Sequence, residues 1–122
     1  TPINKKISAE NVFNNIPSWL GLAQTSQSIT ADASSQVADV TSAITEINAT
    51  SATGAISLAD GSDGQIKIFI NTSTSGTNNV VITPTNLRGY TTITLNAQGE
   101  TAVCLFKNSK WNVIGGQGYV AA

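Results

Sequence analysis

The chain has 122 residues, a formal net charge of -1 and only 11% charged residues, against about 25% in an average soluble domain. That length holds one domain with at most an arm, and the scattered Lys5, Lys6, Lys67, Arg88, Lys107 and Lys110 exclude the clustered cations that nucleic acid requires. With no His and a single Cys, Ser-His-Asp and Cys-His catalysis, His-ligated metal centres and an intrachain disulfide are excluded together.

About a third of the chain is Thr, Ser or Asn, so the surface is hydroxyl- and amide-rich rather than ionic. No apolar run approaches the roughly 18 residues of a membrane span, and the first residues lack the basic-then-apolar order of a leader. A soluble protein without membrane association is expected.

Residues 1–39 read as an N-terminal arm. Ser8 can cap a short helix over 8–16, in which Val12, Phe13 and Ile16 share a helical spacing that Pro17 closes. Two turns of helix are marginal alone in water, so the segment must dock. Trp19, Leu20 and Leu22 follow directly and enlarge its apolar surface, whereas 24–36 is a Ser, Thr, Gln and Ala stretch with little to bury. Two roles fit: the arm covers one face of the β domain, or it docks Phe13, Trp19, Leu20 and Leu22 onto another subunit.

Residues 40–122 read as a β domain. Val40 to Asn48 restarts a period-two alternation with imperfectly sorted faces, as expected of an edge strand or of a strand with partners on both sides. Short apolar-alternating runs then recur about every ten residues, at 55–58, 65–71, 79–83, 92–96, 101–107 and 110–114. Each gap carries turn residues. About eight strands spaced in this way predict an all-β fold, a compact antiparallel sandwich, barrel or prism.

The gaps identify themselves by chemistry. Asp60-Gly61-Ser62-Asp63-Gly64 reads as a compact reversal in which both glycines can take positive φ, and it lacks the twelve-residue ligand spacing of a calcium loop. Asn108-Ser109 reads as a two-residue hairpin, and Pro84 as the end of a ladder. Cys104 sits in an apolar run as a small buried hydrophobe. In 65–71, Ile66, Ile68 and Ile70 share one face while Lys67 and Phe69 share the other. Both faces of that strand carry apolar weight, which predicts completion by a covering layer or by another subunit.

Several of these residues resemble a β-rich module of tailed-phage virion surface proteins, namely head-decoration (cement) and fibre-like proteins. The resemblance runs through Leu58-Ala59-Asp60-Gly61-Ser62-Asp63-Gly64-Gln65-Ile66-Lys67, then Ile82-Thr83-Pro84-Thr85-Asn86-Leu87, Ile93-Thr94-Leu95-Asn96-Ala97-Gln98-Gly99-Glu100 and Val103-Cys104-Leu105-Phe106. It closes with Ser109-Lys110-Trp111-Asn112-Val113-Ile114-Gly115-Gly116. It covers about half the chain, with Glu100 where an Asp is common. It implies a non-enzymatic, cofactor-free structural protein on the capsid surface of a virion, a homotrimer that contacts the major capsid protein or other virion proteins and stabilises the shell. The alternative is a tail-fibre or lectin-like module that recognises host-surface glycan through Tyr90, Trp111 and Tyr119. Among the carboxylates only Asp60 and Asp63 lie close in sequence, on a turn with no implied cleft, so no catalytic pair is assigned.

Overall fold

The computed structural model describes residues 26–122. The expected helix over 8–16 and the arm residues Phe13, Trp19, Leu20 and Leu22 lie outside the described residues.

The described chain is all-β. Its ten strands are β1 Ser26–Ala31, β2 Gln36–Ala38, β3 Ile44–Ala49, β4 Thr53–Leu58, β5 Ile66–Asn71, β6 Asn79–Pro84, β7 Ile93–Leu95, β8 Thr101–Lys107, β9 Lys110–Gln117 and β10 Val120–Ala121. They form two five-stranded sheets, the first ordered β1-β3-β5-β8-β9 and the second β10-β7-β6-β4-β2. From β1 to β6 the chain crosses from one sheet to the other at every connection and so winds as a coil. Successive turns stack in parallel: Ser26, Ile44 and Ile68 share one register row of the first sheet, and Gln36 with Ile56 and Ile82 share one of the second.

The sheets are therefore mixed rather than antiparallel. Antiparallel pairing begins only at the end of the chain, where β8 returns beside β5, β9 beside β8, β7 beside β6 and β10 beside β7. Residues 26–39, read from sequence as part of the arm, contribute β1 and β2 to the two sheets.

The core lies between the sheets and alternates as the pleat requires. Ile29, Ile47, Phe69, Ala102, Cys104 and Phe106 face in from the first sheet, and Ile56, Leu58, Val80, Ile82, Ile93 and Leu95 from the second. In β5 the buried face is Lys67, Phe69 and Asn71, while Ile66, Ile68 and Ile70 face outward. Buried Asn71 ties the layers together: its Nδ2 donates to the Leu95 carbonyl, and its Oδ1 accepts from the Ser73 backbone N–H. The Ala49 backbone N–H in turn donates to the Ser73 hydroxyl oxygen at 2.9 Å.

Pro84 is the last residue of β6, opposite Leu58, where its missing N–H breaks no bond in the ladder. The Asn108-Ser109 turn is the expected hairpin, pairing Lys107 with Lys110. Both turn residues take left-handed φ, 51° and 63°, as a type I′ turn demands.

Candidate functional site

Several of the residues that carry the resemblance, Ala59, Gly61, Asn86 and Phe106, meet at Trp111. The indole is fully buried, donates Nε1–H to the Ala59 carbonyl at 2.9 Å and meets Phe106 edge to face with ring centroids 5.1 Å apart. Its backbone N–H donates to the Asn86 carbonyl, and its carbonyl accepts from the Arg88 N–H. Asn86 Nδ2 in turn donates to Asp60 Oδ2.

Gly61 has no positive φ. Proximity favours it instead, since a Cβ there would crowd Gln65 Oε1 and lie 3.0 Å from the Trp111 ring. Gly64 does take the left-handed region, at φ 92°. Gln65 closes the loop, accepting from the Ser62 N–H and donating to the Val40 carbonyl. Asp63 faces the hairpin, 3.4 Å from Lys107 Nζ and 3.1 Å from the Asn108 nitrogen. These polar residues are thus spent on locking one corner of the scaffold.

The reactive groups of the interior are likewise engaged. Lys67 is fully buried, donating to the carbonyls of Asp39 at 2.6 Å and Ser42 at 2.7 Å, with Asp39 Oδ1 at 3.8 Å. Burial lowers its pKa to about 8 against the raising charge of Asp39. Burial alone would raise the Asp39 carboxyl, but hydrogen bonds from the Ser42 N–H and hydroxyl, with the Lys67 charge, hold it below its ordinary value. Lys67 thereby ties the 39–42 corner to β5. Sequence reasoning missed this role because the alternation in 65–71 offers three isoleucines as the obvious inner face. Cys104 is the expected buried hydrophobe, and desolvation pushes its thiol up to about 12, far from a reactive thiolate.

The aromatic residues of the glycan alternative do not form one platform. Trp111 presents no face to solvent, Tyr119 packs partly buried against the core, and Tyr90 alone is well exposed, at 52%. The described residues form no pocket and no cluster of acidic, Cys or His side chains of metal-site size.

Two surface features have the character of interaction sites. On the outer face of the first sheet, Ile44, Ile68 and Val103 form one cross-strand row, with Ile66 opposite Leu105 beside it, Ile70 on its other side, and Ile114 exposed at the β8–β9 bulge. Ser26, Ser28, Glu46 and Thr101 border this apolar patch. The second feature is the β1/β2 end of the coil, where each sheet presents a strand paired on one side only among the described residues. No residue of β1 or β2 is charged, and Val37 is 64% exposed. At the opposite end, the segment through Asn86 and Arg88 bonds along the start of β9.

No protein-family model matches the chain, and no curated protein matches it.

Proposed function

We propose that this chain is a non-enzymatic structural protein of a tailed-phage virion surface, a capsid decoration or cement protein that oligomerises on the particle and stabilises the shell. The observation that carries this reading is the β1/β2 end of the coil, uncharged along both strands and paired on one side only among the described residues. Solitary soluble domains guard such edges with Lys, Pro or a covering loop. A stacked coil that ends, among the described residues, without these devices is suited to continue onto a second body by strand addition. The phage resemblance is supported by a physical reason for its residues, since Asp60, Gly61, Gln65, Asn86 and Trp111 are joined in one corner of the scaffold. A non-catalytic role fits the deeply shielded Cys104 and the fully engaged Lys67.

Binding energy contributed by many symmetric copies stabilises a shell by mass action. The test is the copy number of the protein in purified particles, with its mass in solution. Many copies per particle and a defined homo-oligomer, a trimer on this reading, are expected. A handful of copies, or none, overturns the decoration role.

A further inference from the structure

We propose that copies of this chain join head to tail, with β9 and β10 of one copy running beside β1 and β2 of the next, parallel in both sheets. This pairing deepens the proposed oligomerisation, on which it rests, by naming the second body that the β1/β2 end receives.

Strand direction matches the two ends of the stack to each other. In the first sheet β3 and β5 run parallel to β1, β8 reverses, and β9 reverses again. In the second, β4 and β6 run parallel to β2, β7 reverses, and β10 reverses again. Two reversals in each sheet thus return the last strand to the direction of the first. Because β1 and β2 lie at one end of the two sheets and β9 and β10 at the other, a second copy in the same orientation meets both edges at once and continues the parallel coil. With a single return in either sheet, such a copy would meet one edge parallel and the other antiparallel.

The edges also match in chemistry. Asn86 and Arg88 occupy the start of the β9 edge through the Trp111 backbone, which leaves 113–117 as its open stretch among the described residues. Neither that stretch nor β10, β1 or β2 contains a charged residue, so strands can meet there without burying an ion. Among the large apolar side chains that are exposed, Val37 lies on β2, Ile114 on β9 and Val120 on β10. Tyr90 belongs to the same end as β10, since the adjacent Thr91 and Thr92 N–H groups donate to the Ala122 carbonyl. Apolar exposure is thus concentrated on the two ends that the pairing covers. A two-fold contact between β1/β2 ends would leave both β9/β10 ends without a strand, whereas a head-to-tail contact uses both ends of every copy.

Cysteine cross-linking of the full-length chain tests the pairing, because the native Cys104 is buried and out of reach of the reagent. The rows of Val37 and Val120 in the second sheet lie two residues apart. Continued across the contact they set the two residues about 8 Å from each other, within the span of a short bis-maleimide. Co-expressed Val37→Cys and Val120→Cys chains should give tenfold or more cross-linked dimer than either variant alone, at the melting temperature of the parent. Ser28→Cys with Gln117→Cys reports the same contact in the first sheet, where Ser28 shares a row with Thr101 and the Gln117 N–H donates to the Thr101 hydroxyl; this pair decides if a variant of the first fails to fold. Val37→Cys chains that link to each other as well as to Val120→Cys chains overturn the proposal, by assigning a two-fold contact. A chain that stays monomeric, or an oligomer that neither pair links, overturns it as well. In the double variant Val37→Cys with Val120→Cys, a series of products ending at three copies supports the pairing together with the trimer, and a series without an end supports the pairing and removes the trimer. None of these readouts involves particles, so a low copy number there would overturn the decoration role and leave the pairing standing.

Discussion

Placing the Lys67 ammonium between the sheets costs desolvation that the Asp39 carboxylate, at 3.8 Å and 41% exposed, returns only in part. The two carbonyls of Asp39 and Ser42 hold the amine in either protonation state, so the group can lose its proton and keep its place. Unfolded, Lys67 releases its proton near 10.5, and folded at about 8; between these values the unfolded state holds more protons, and stability rises with pH. Cys104 acts in the opposite sense, since its thiol ionises near 9.0 when unfolded and at about 12 when folded, so stability falls above pH 9. Urea unfolding across this range should show stability rising from about pH 8 to 9, levelling while the two effects oppose each other, and declining above about 10.5. Lys67→Met should abolish the rise. It should also cost about 2 kcal/mol at pH 7, because two part-buried carbonyls lose their donor.

At the scale of elements, the β8–β9 hairpin is fixed by two residues that pay for left-handed φ without being glycine. Asn108 tolerates that region better than Ser109 does. Ser109→Gly should stabilise the protein by about 0.5–1 kcal/mol, after the extra freedom of glycine in the unfolded chain is deducted. The urea midpoint should move with no change in slope.

The same hairpin shows what sequence conveys well: Asn108-Ser109 sits between two alternating runs, and local turn chemistry decides the outcome. The runs at 55–58, 65–71, 79–83, 92–96, 101–107 and 110–114 all fall on strands β4 to β9. Parallel winding was not legible, because a Gly- and Asp-rich gap signals a change of direction without saying whether the next run returns beside its predecessor or crosses to the opposite sheet. β1 and β2 escaped notice because their inward positions are Ile29, Ala31 and Ala38, too few and too small to stand out from Ser, Thr and Gln. Trp111 was legible as a core aromatic, whereas Lys67 and Asn71 were not, since burial of a polar side chain depends on carbonyls from distant turns of the coil.

For the whole molecule, the decisive asymmetry is between the two ends of the stack. The C-terminal end is formed by antiparallel returns and by the Asn86–Arg88 contacts on β9, whereas among the described residues the β1/β2 end presents two strands paired on one side only and without a single charge. If that end joins copies to each other or to a capsid, adding charge there should break the assembly and leave the fold alone. Thr30 and Val37 are exposed, and among the described residues their side chains enter no hydrogen bond that holds the coil. In the double variant Thr30→Lys with Val37→Lys, incoming strands would have to bury or repel two ammonium groups, whereas exposed substitutions of this kind shift folding stability by only about 0.5 kcal/mol. Light scattering should therefore show a smaller species than the parent protein, and particle binding should weaken tenfold or more at an unchanged melting temperature. An unchanged mass and unchanged binding would move the contact away from the strand edges and onto the apolar outer face of the first sheet, where Ile66 and Ile114 are exposed.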